Sequence, residues 1–240
     1  MSASTMLLLL ADGRFPAGAH AHSSGLEAAV AAGRVTDLST LAEYLRGRLA
    51  TAGLVAAAFA AAACRAAGVD PPASAPGTDP NGRHRRSALA RLDVELDART
   101  ASPAQRTVSR RQGRALLRAG RAIWPTAGFD DLPATPGGPH QPLVLGLVGA
   151  AAGLDPAQVA TVAVHATVTG SASAAVRLLG LDPYQVQTLL VRLADACDAT
   201  AARAARAAEQ PPRRLPAAAA PLADIHAEAH ATWEVRLFAS

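Results

Sequence analysis

Three expected helix starts along this chain set a residue that caps helix N-termini immediately before proline: Ser102-Pro103, Asp155-Pro156 and Asp182-Pro183. The side-chain oxygen of the first residue accepts from a free amide of the opening turn, and proline lacks only an N–H that would go unused there. Such a pair permits a helix and disfavours a continuing strand. The residues around these starts point the same way. The chain holds 61 alanines, the strongest helix former, and only 3% aromatic residues. With 50% hydrophobic and 18% charged residues it has the composition of a packed chain, not a disordered one. An all-α fold is expected, a single-domain bundle of about nine or ten helices.

Further punctuation orders the bundle. Ser24-Gly25-Leu26-Glu27 has the spacing of a capping box and opens a helix through Ala32 that Gly33 ends. Thr36 or Asp37 caps the next helix, with Leu38, Leu41, Leu45 and Leu49 on one face. Residues 50–67 read as a third helix, and helices resume near Ser87. Segments 68–86 and 125–142 are rich in proline and glycine and read as loops. Residues 143–154 and 156–169 read as buried helices, and 183–208 as one long amphipathic helix with Val186, Leu190, Leu193 and Cys197 inward. A linker is expected over 211–221, joined to a detachable helical tail over 222–240.

Charge is polarised along the chain. Its 23 basic residues are all arginine, and the net charge is +4. Eleven arginines and only three acids lie between Arg83 and Arg121, whereas the remainder has twelve arginines against 16 acids. Arg106, Arg110, Arg111, Arg114, Arg118 and Arg121 project within about 140° of a helix circumference. That stripe suits an acidic protein surface or a nucleic acid. Without lysine, interleaved aromatic residues or a reading helix, the nucleic-acid option is the weaker one.

Sites of chemistry are sparse. Cys64 and Cys197 stand alone in helical stretches and read as free thiols of a reducing compartment. His20-x-His22 and the His226/His230 pair have metal-ligand spacing, yet no further ligand cluster accompanies either. No P-loop, dinucleotide fingerprint or nucleophile elbow occurs. No catalytic residue, metal site or cofactor is therefore expected. The apolar run Leu7–Leu10 has no basic leader, and the alanine-dominated uncharged stretch 50–64 is shorter than the roughly 20 residues of a membrane span. A soluble, cytoplasmic protein is expected.

The stretch Pro16-Ala17-Gly18-Ala19-His20-Ala21-His22-Ser23-Ser24-Gly25-Leu26-Glu27 resembles the signature of the urease accessory protein UreF family, with Gly33-Arg34-Val35-Thr36-Asp37 as the step that follows it. Ser109 to Leu117 and Gly170 to Leu179 are similar to two later helices of that family. Arg236-Leu237-Phe238-Ala239-Ser240 looks like its terminal motif, with His230 at the place of an upstream histidine. Outside the two loops the resemblance spans the chain in the right order.

That resemblance implies a non-catalytic, all-helical adaptor. UreF-like proteins act with UreD (also called UreH), recruit the GTPase UreG, and promote nickel incorporation into apo-urease; a homodimer within the complex is implied as well. The partner-binding residues it points to are His22, Ser23, Gly25 and Glu27 in the first motif. At the tail they are His230, Trp233, Arg236, Leu237, Phe238 and Ser240, with Arg110 and Arg114 from the stripe. Two other functions fit the same residues: a regulator acting on a GTPase in trans through the arginine stripe, and a basic helical nucleic-acid binder.

Overall fold

A computed structural model describes residues 3–16, 22–68 and 80–238. His20, Ser240 and most of the first expected loop lie outside these residues. Among the described residues there are eleven α-helices: α1 (Ala3–Ala11), α2 (Leu26–Ala31), α3 (Leu38–Arg48), α4 (Leu54–Gly68), α5 (Pro80–Arg99), α6 (Pro103–Ile123), α7 (Gln141–Ala151), α8 (Pro156–Leu179), α9 (Pro183–Arg192), α10 (Ala194–Ala207) and α11 (Pro221–Ala231). No strand occurs among the described residues, so the fold is all-α.

The three proline-preceding caps form as expected. Ser102 accepts from Gln105 N–H, Asp155 from Gln158 N–H, and Asp182 from Tyr184 N–H. Asp37 caps α3 in a reciprocal pair with Thr40. Elsewhere the boundaries shift. A π-helical turn at Leu49–Gly53 joins α3 and α4 into one continuous helix of 31 residues. Helix α5 begins at Pro80, inside the expected loop 68–86, where the sequence Asp79-Pro80 repeats the cap-and-proline signal. The expected 183–208 helix is broken at Leu193 into α9 and α10. The tail is helical only to Ala231, and residues 232–238 follow without helix.

Helix α4 lies at the centre. Ala57, Ala58, Phe59, Ala60, Ala61 and Ala63 are fully buried, and α7, α8 and α10 pack around the helix. Alanine permits backbones to approach closely, and Gly146 of α7 completes the fit. A Cβ added there would lie 2.5 Å from the Ala60 carbonyl oxygen and 2.6 Å from the Ala63 Cβ. Two helices, Leu38–Gly68 and Pro156–Leu179, are long and apolar enough to cross a membrane by length and composition. Both are mostly buried in the bundle, as core helices are.

The expected linker 211–221 is tied down. Arg99 of α5 donates to the carbonyls of Pro212, Arg213, Leu215 and Pro216, and also pairs with Glu95. One guanidinium thus supplies donors to a segment whose four prolines remove its own.

Gly146→Ala is expected to lower unfolding stability by about 1–3 kcal/mol through overpacking. Gly170→Ala on α8, where an added Cβ meets nothing within 4 Å, should gain up to about 1 kcal/mol. Urea denaturation of both variants checks the contrast.

Candidate functional site

Two segments far apart in sequence meet at one carboxylate. Helix α2 starts after Ser24 and Gly25, both with positive φ (55° and 87°). The capping box expected from Ser24 does not form, because a residue in that conformation turns its side chain away from the helix start. Instead Ser23 Oγ accepts from Glu27 N–H at 3.3 Å. Tyr44 of α3 donates to the Ser24 carbonyl at 2.9 Å, and Ser171 of α8 to that of Ser23 at 3.5 Å. These bonds hold the turn against the core and leave the Glu27 side chain free for another use.

That use is the tail. Glu27 Oε1 accepts from Leu237 N–H at 2.8 Å, and Oε2 from Phe238 N–H at 3.1 Å and from His230 Nε2 at 2.9 Å. Glu27 is 7% exposed and His230 1%. Burial pushes the Glu27 carboxyl up, but the Leu237, His230 and Phe238 hydrogen bonds outweigh it and hold it below its ordinary value. The carboxylate therefore favours docking at every pH above its ordinary value of 4.5, and that contribution is lost as the pH falls through the lowered one.

Apolar contacts complete the dock. Phe238 is buried, with the Arg177 guanidinium of α8 4.3 Å from its ring centroid. Trp233 is half-buried, its ring 4.6 Å from that of His230 at a tilt of 50°. Helix α11 is fastened at its middle by a second carboxylate. Glu228 Oε1 accepts from Ala104 N–H at 2.9 Å and from the Ser102 hydroxyl, so it sits at the α6 N-terminus, where helix dipoles favour negative charge. Large apolar side chains stay outward on the tail: Ile225 is 64% exposed, Val235 86% and Leu237 75%, with Glu234 and Arg236 exposed beside them. His22, Ser23 and Glu27 are buried.

The arginine stripe does not stay together. Arg110 is turned inward, its side chain 14% exposed, and pairs with buried Asp93 at 3.0 Å and with Asp97 at 2.8 Å. It also donates to the Gly138 carbonyl and the Thr135 hydroxyl. Arg106 donates to the carbonyls of Thr100 and Ala101. Arg114 is exposed and donates to the Gly137 carbonyl. Arg111 and Arg118 are exposed, and Arg121 pairs with Asp130 at 2.6 Å.

A residue absent from the sequence reading closes this network. His140 is fully buried, with Nδ1 2.9 Å from Ser109 Oγ and Nε2 2.9 Å from Asp97 Oδ1. Burial lowers its tendency to protonate. The neutral ring therefore donates from Nε2 to Asp97 and accepts the Ser109 hydroxyl at Nδ1. A serine, a histidine and an aspartate in series suggest a hydrolytic relay, but the imidazole is sealed and Ser109 Oγ also receives Gln141 N–H at 3.4 Å. Their geometry is structural: it locks α5, α6 and the start of α7. Two shallow clefts of ≈ 460 Å³ each flank Arg106 and Arg110, and most donors of those guanidiniums are already spent. His230 Nε2 is held by Glu27, and no cluster of three or more His, Cys, Asp or Glu side chains placed to hold a metal ion occurs among the described residues. Both cysteines are free, Cys64 buried and pushed up to about 11 by that burial.

Comparison with known proteins places these features. The UreF family model matches residues 35–194. Over 240 residues, and over the full length of both chains, this chain is 45% identical to the urease accessory protein UreF of Mycobacterium marinum and 43% identical to that of Mycolicibacterium vanbaalenii. It is 46% identical to that of Mycobacterium sp. over 241 residues, again covering both chains fully. The Glu27 turn and the tail lie outside the stretch matched by the family model but inside these full-length alignments.

Glu27→Gln keeps the shape but lacks the charge, and is expected to weaken tail docking by about 1–3 kcal/mol. Faster hydrogen exchange at the Leu237 and Phe238 amides, with α4 amides unchanged, is the readout. Arg110→Ala leaves Asp93 buried without its partner and should cost about 3–5 kcal/mol of stability. Arg118→Ala should stay within about 0.5 kcal/mol of wild type in the same denaturation experiment.

Proposed function

The chain belongs to the urease accessory protein UreF family, and from that premise we propose that it is a non-catalytic adaptor in urease maturation. With UreD/UreH it recruits the GTPase UreG and promotes nickel incorporation into apo-urease, nickel being cargo and not a resident cofactor. It acts in the cytoplasm as one helical domain over 1–240 and as a homodimer within the complex. Residues 222–240 are its partner-docking tail, carried on the 211–221 segment.

The observation that supports this reading is the Glu27 junction. Buried hydrogen bonds from Leu237, Phe238 and His230 give the tail a defined path, while the side chains of Val235 and Leu237 are left in solvent. Displaying large apolar side chains on a segment ordered by buried polar contacts costs stability and has its return in association. Pre-ordering also lowers the entropy lost when a partner binds. Arg236 between them adds a charge that fixes partner orientation.

The two tail anchors separate the roles in an experiment. Tagged wild-type protein, co-expressed with UreD/UreH and UreG, is expected to retain both through purification. Leu237→Ala removes an outward side chain and should cut UreD/UreH capture by at least about tenfold, with tail amide exchange unchanged. Phe238→Ala removes the inward one and should lose both capture and tail protection. Capture of neither partner by the wild-type chain would overturn the adaptor reading.

A further inference from the structure

Helix α6 runs for 21 residues without one acidic side chain. Its neighbour α5 carries Asp93, Glu95 and Asp97 among its arginines and forms the Glu95–Arg99 pair within itself. The structure sorts the α6 arginines into two groups. Arg106 and Arg110 are engaged by carbonyls and carboxylates. Arg111, Arg114 and Arg118 are exposed, and among the described residues none of the three meets a carboxylate. With Arg121 they fall within about 80° of the helix circumference and span about 15 Å along it.

Neighbours at these spacings repel one another, and helices of ordinary solvated surfaces intersperse acids to avoid it. The ridge is also built to keep its place. On the opposite face Gly113 and Gly120 are buried; a Cβ on Gly113 would collide with the Pro139 carbonyl, and one on Gly120 would lie 2.9 Å from Phe129. The Gly137 carbonyl takes a hydrogen bond from Arg114 and so orients its fork.

We propose that the Arg111–Arg114–Arg118 ridge is a docking surface for an acidic segment of a partner protein, whose carboxylates pair with the three guanidiniums. Arginine forks match carboxylates bidentately, and a partner of opposite charge turns the repulsion along the ridge into attraction. Nucleic acid fits less well. The ridge ends after about three helical turns at exposed Asp130. Outside residues 83–121 the chain has 16 acids against 12 arginines, so the positive charge does not extend over the rest of the molecule. This surface is independent of the tail and of the partners assigned to it.

A labelled decaglutamate peptide and a labelled ten-nucleotide thymidine strand, titrated at low salt into the full chain, test the proposal. The peptide is expected to bind, and the pair Arg111→Gln/Arg118→Gln to weaken it by about tenfold, a loss of about 1.4 kcal/mol. The pair Arg203→Gln/Arg206→Gln, which removes equal charge from exposed positions on α10, should change the affinity by less than about twofold. Urea denaturation confirms that both variants remain folded. Absence of peptide binding, equal losses in the two pairs, or tighter ridge-dependent binding of the thymidine strand would each overturn it.

Discussion

Close approach of α4 and α7 is the constraint on which the other positions depend. Alanine at 60 and 63 and glycine at 146 bring two backbones together with little side chain between them. Close-packed interiors tolerate little change in volume, so this spacing is rigid. Helix α6 then packs on α7 through Gly120, whose added Cβ would touch both Phe129 and Val148. The start of α7 carries His140 against Asp97 and Ser109. From the central contact outward, each element is set by the one before it.

Buried charge is supplied with partners wherever it occurs among the described residues: Asp131 is held by Arg85 and Arg86, and two larger clusters surround Arg110 and Glu27. Around Arg110, two carboxylates, a hydroxyl and a carbonyl surround one guanidinium, and His140 remains neutral beside them. Around Glu27, two amides and one imidazole surround one carboxylate. Both clusters bridge elements far apart in sequence. The geometric demands of hydrogen bonds give these junctions a defined orientation that apolar packing alone specifies weakly. A defined tail orientation sets which of its side chains are buried and which face solvent.

Much of the fold was legible from local signals. The caps at Ser102, Asp155 and Asp182 are contacts within one helical turn, so neighbouring residues suffice to specify them. The break at Leu193 carries no proline or glycine and had no local sign. The site was legible in part. Its motif residues stood out by resemblance, including Glu27, His230 and Phe238, but nothing in the sequence joined Glu27 to a tail some two hundred positions away. His140 gave no signal, since its partners Asp97 and Ser109 lie 43 and 31 positions off and converge only through packing.

The arginines mark the boundary most clearly. Periodicity placed six of them on one arc of α6, and alanine content with helix caps placed that helix in an all-α bundle. Both are properties of a chain segment taken alone. Arg110 and Arg111 are adjacent in sequence and about 100° apart on the helix, yet one is enclosed by carboxylates and the other faces solvent. Which edge of an arc turns inward depends on where α5 and the 133–138 segment lie. That is decided by long-range packing and the pairing of buried charge, not by the helix itself.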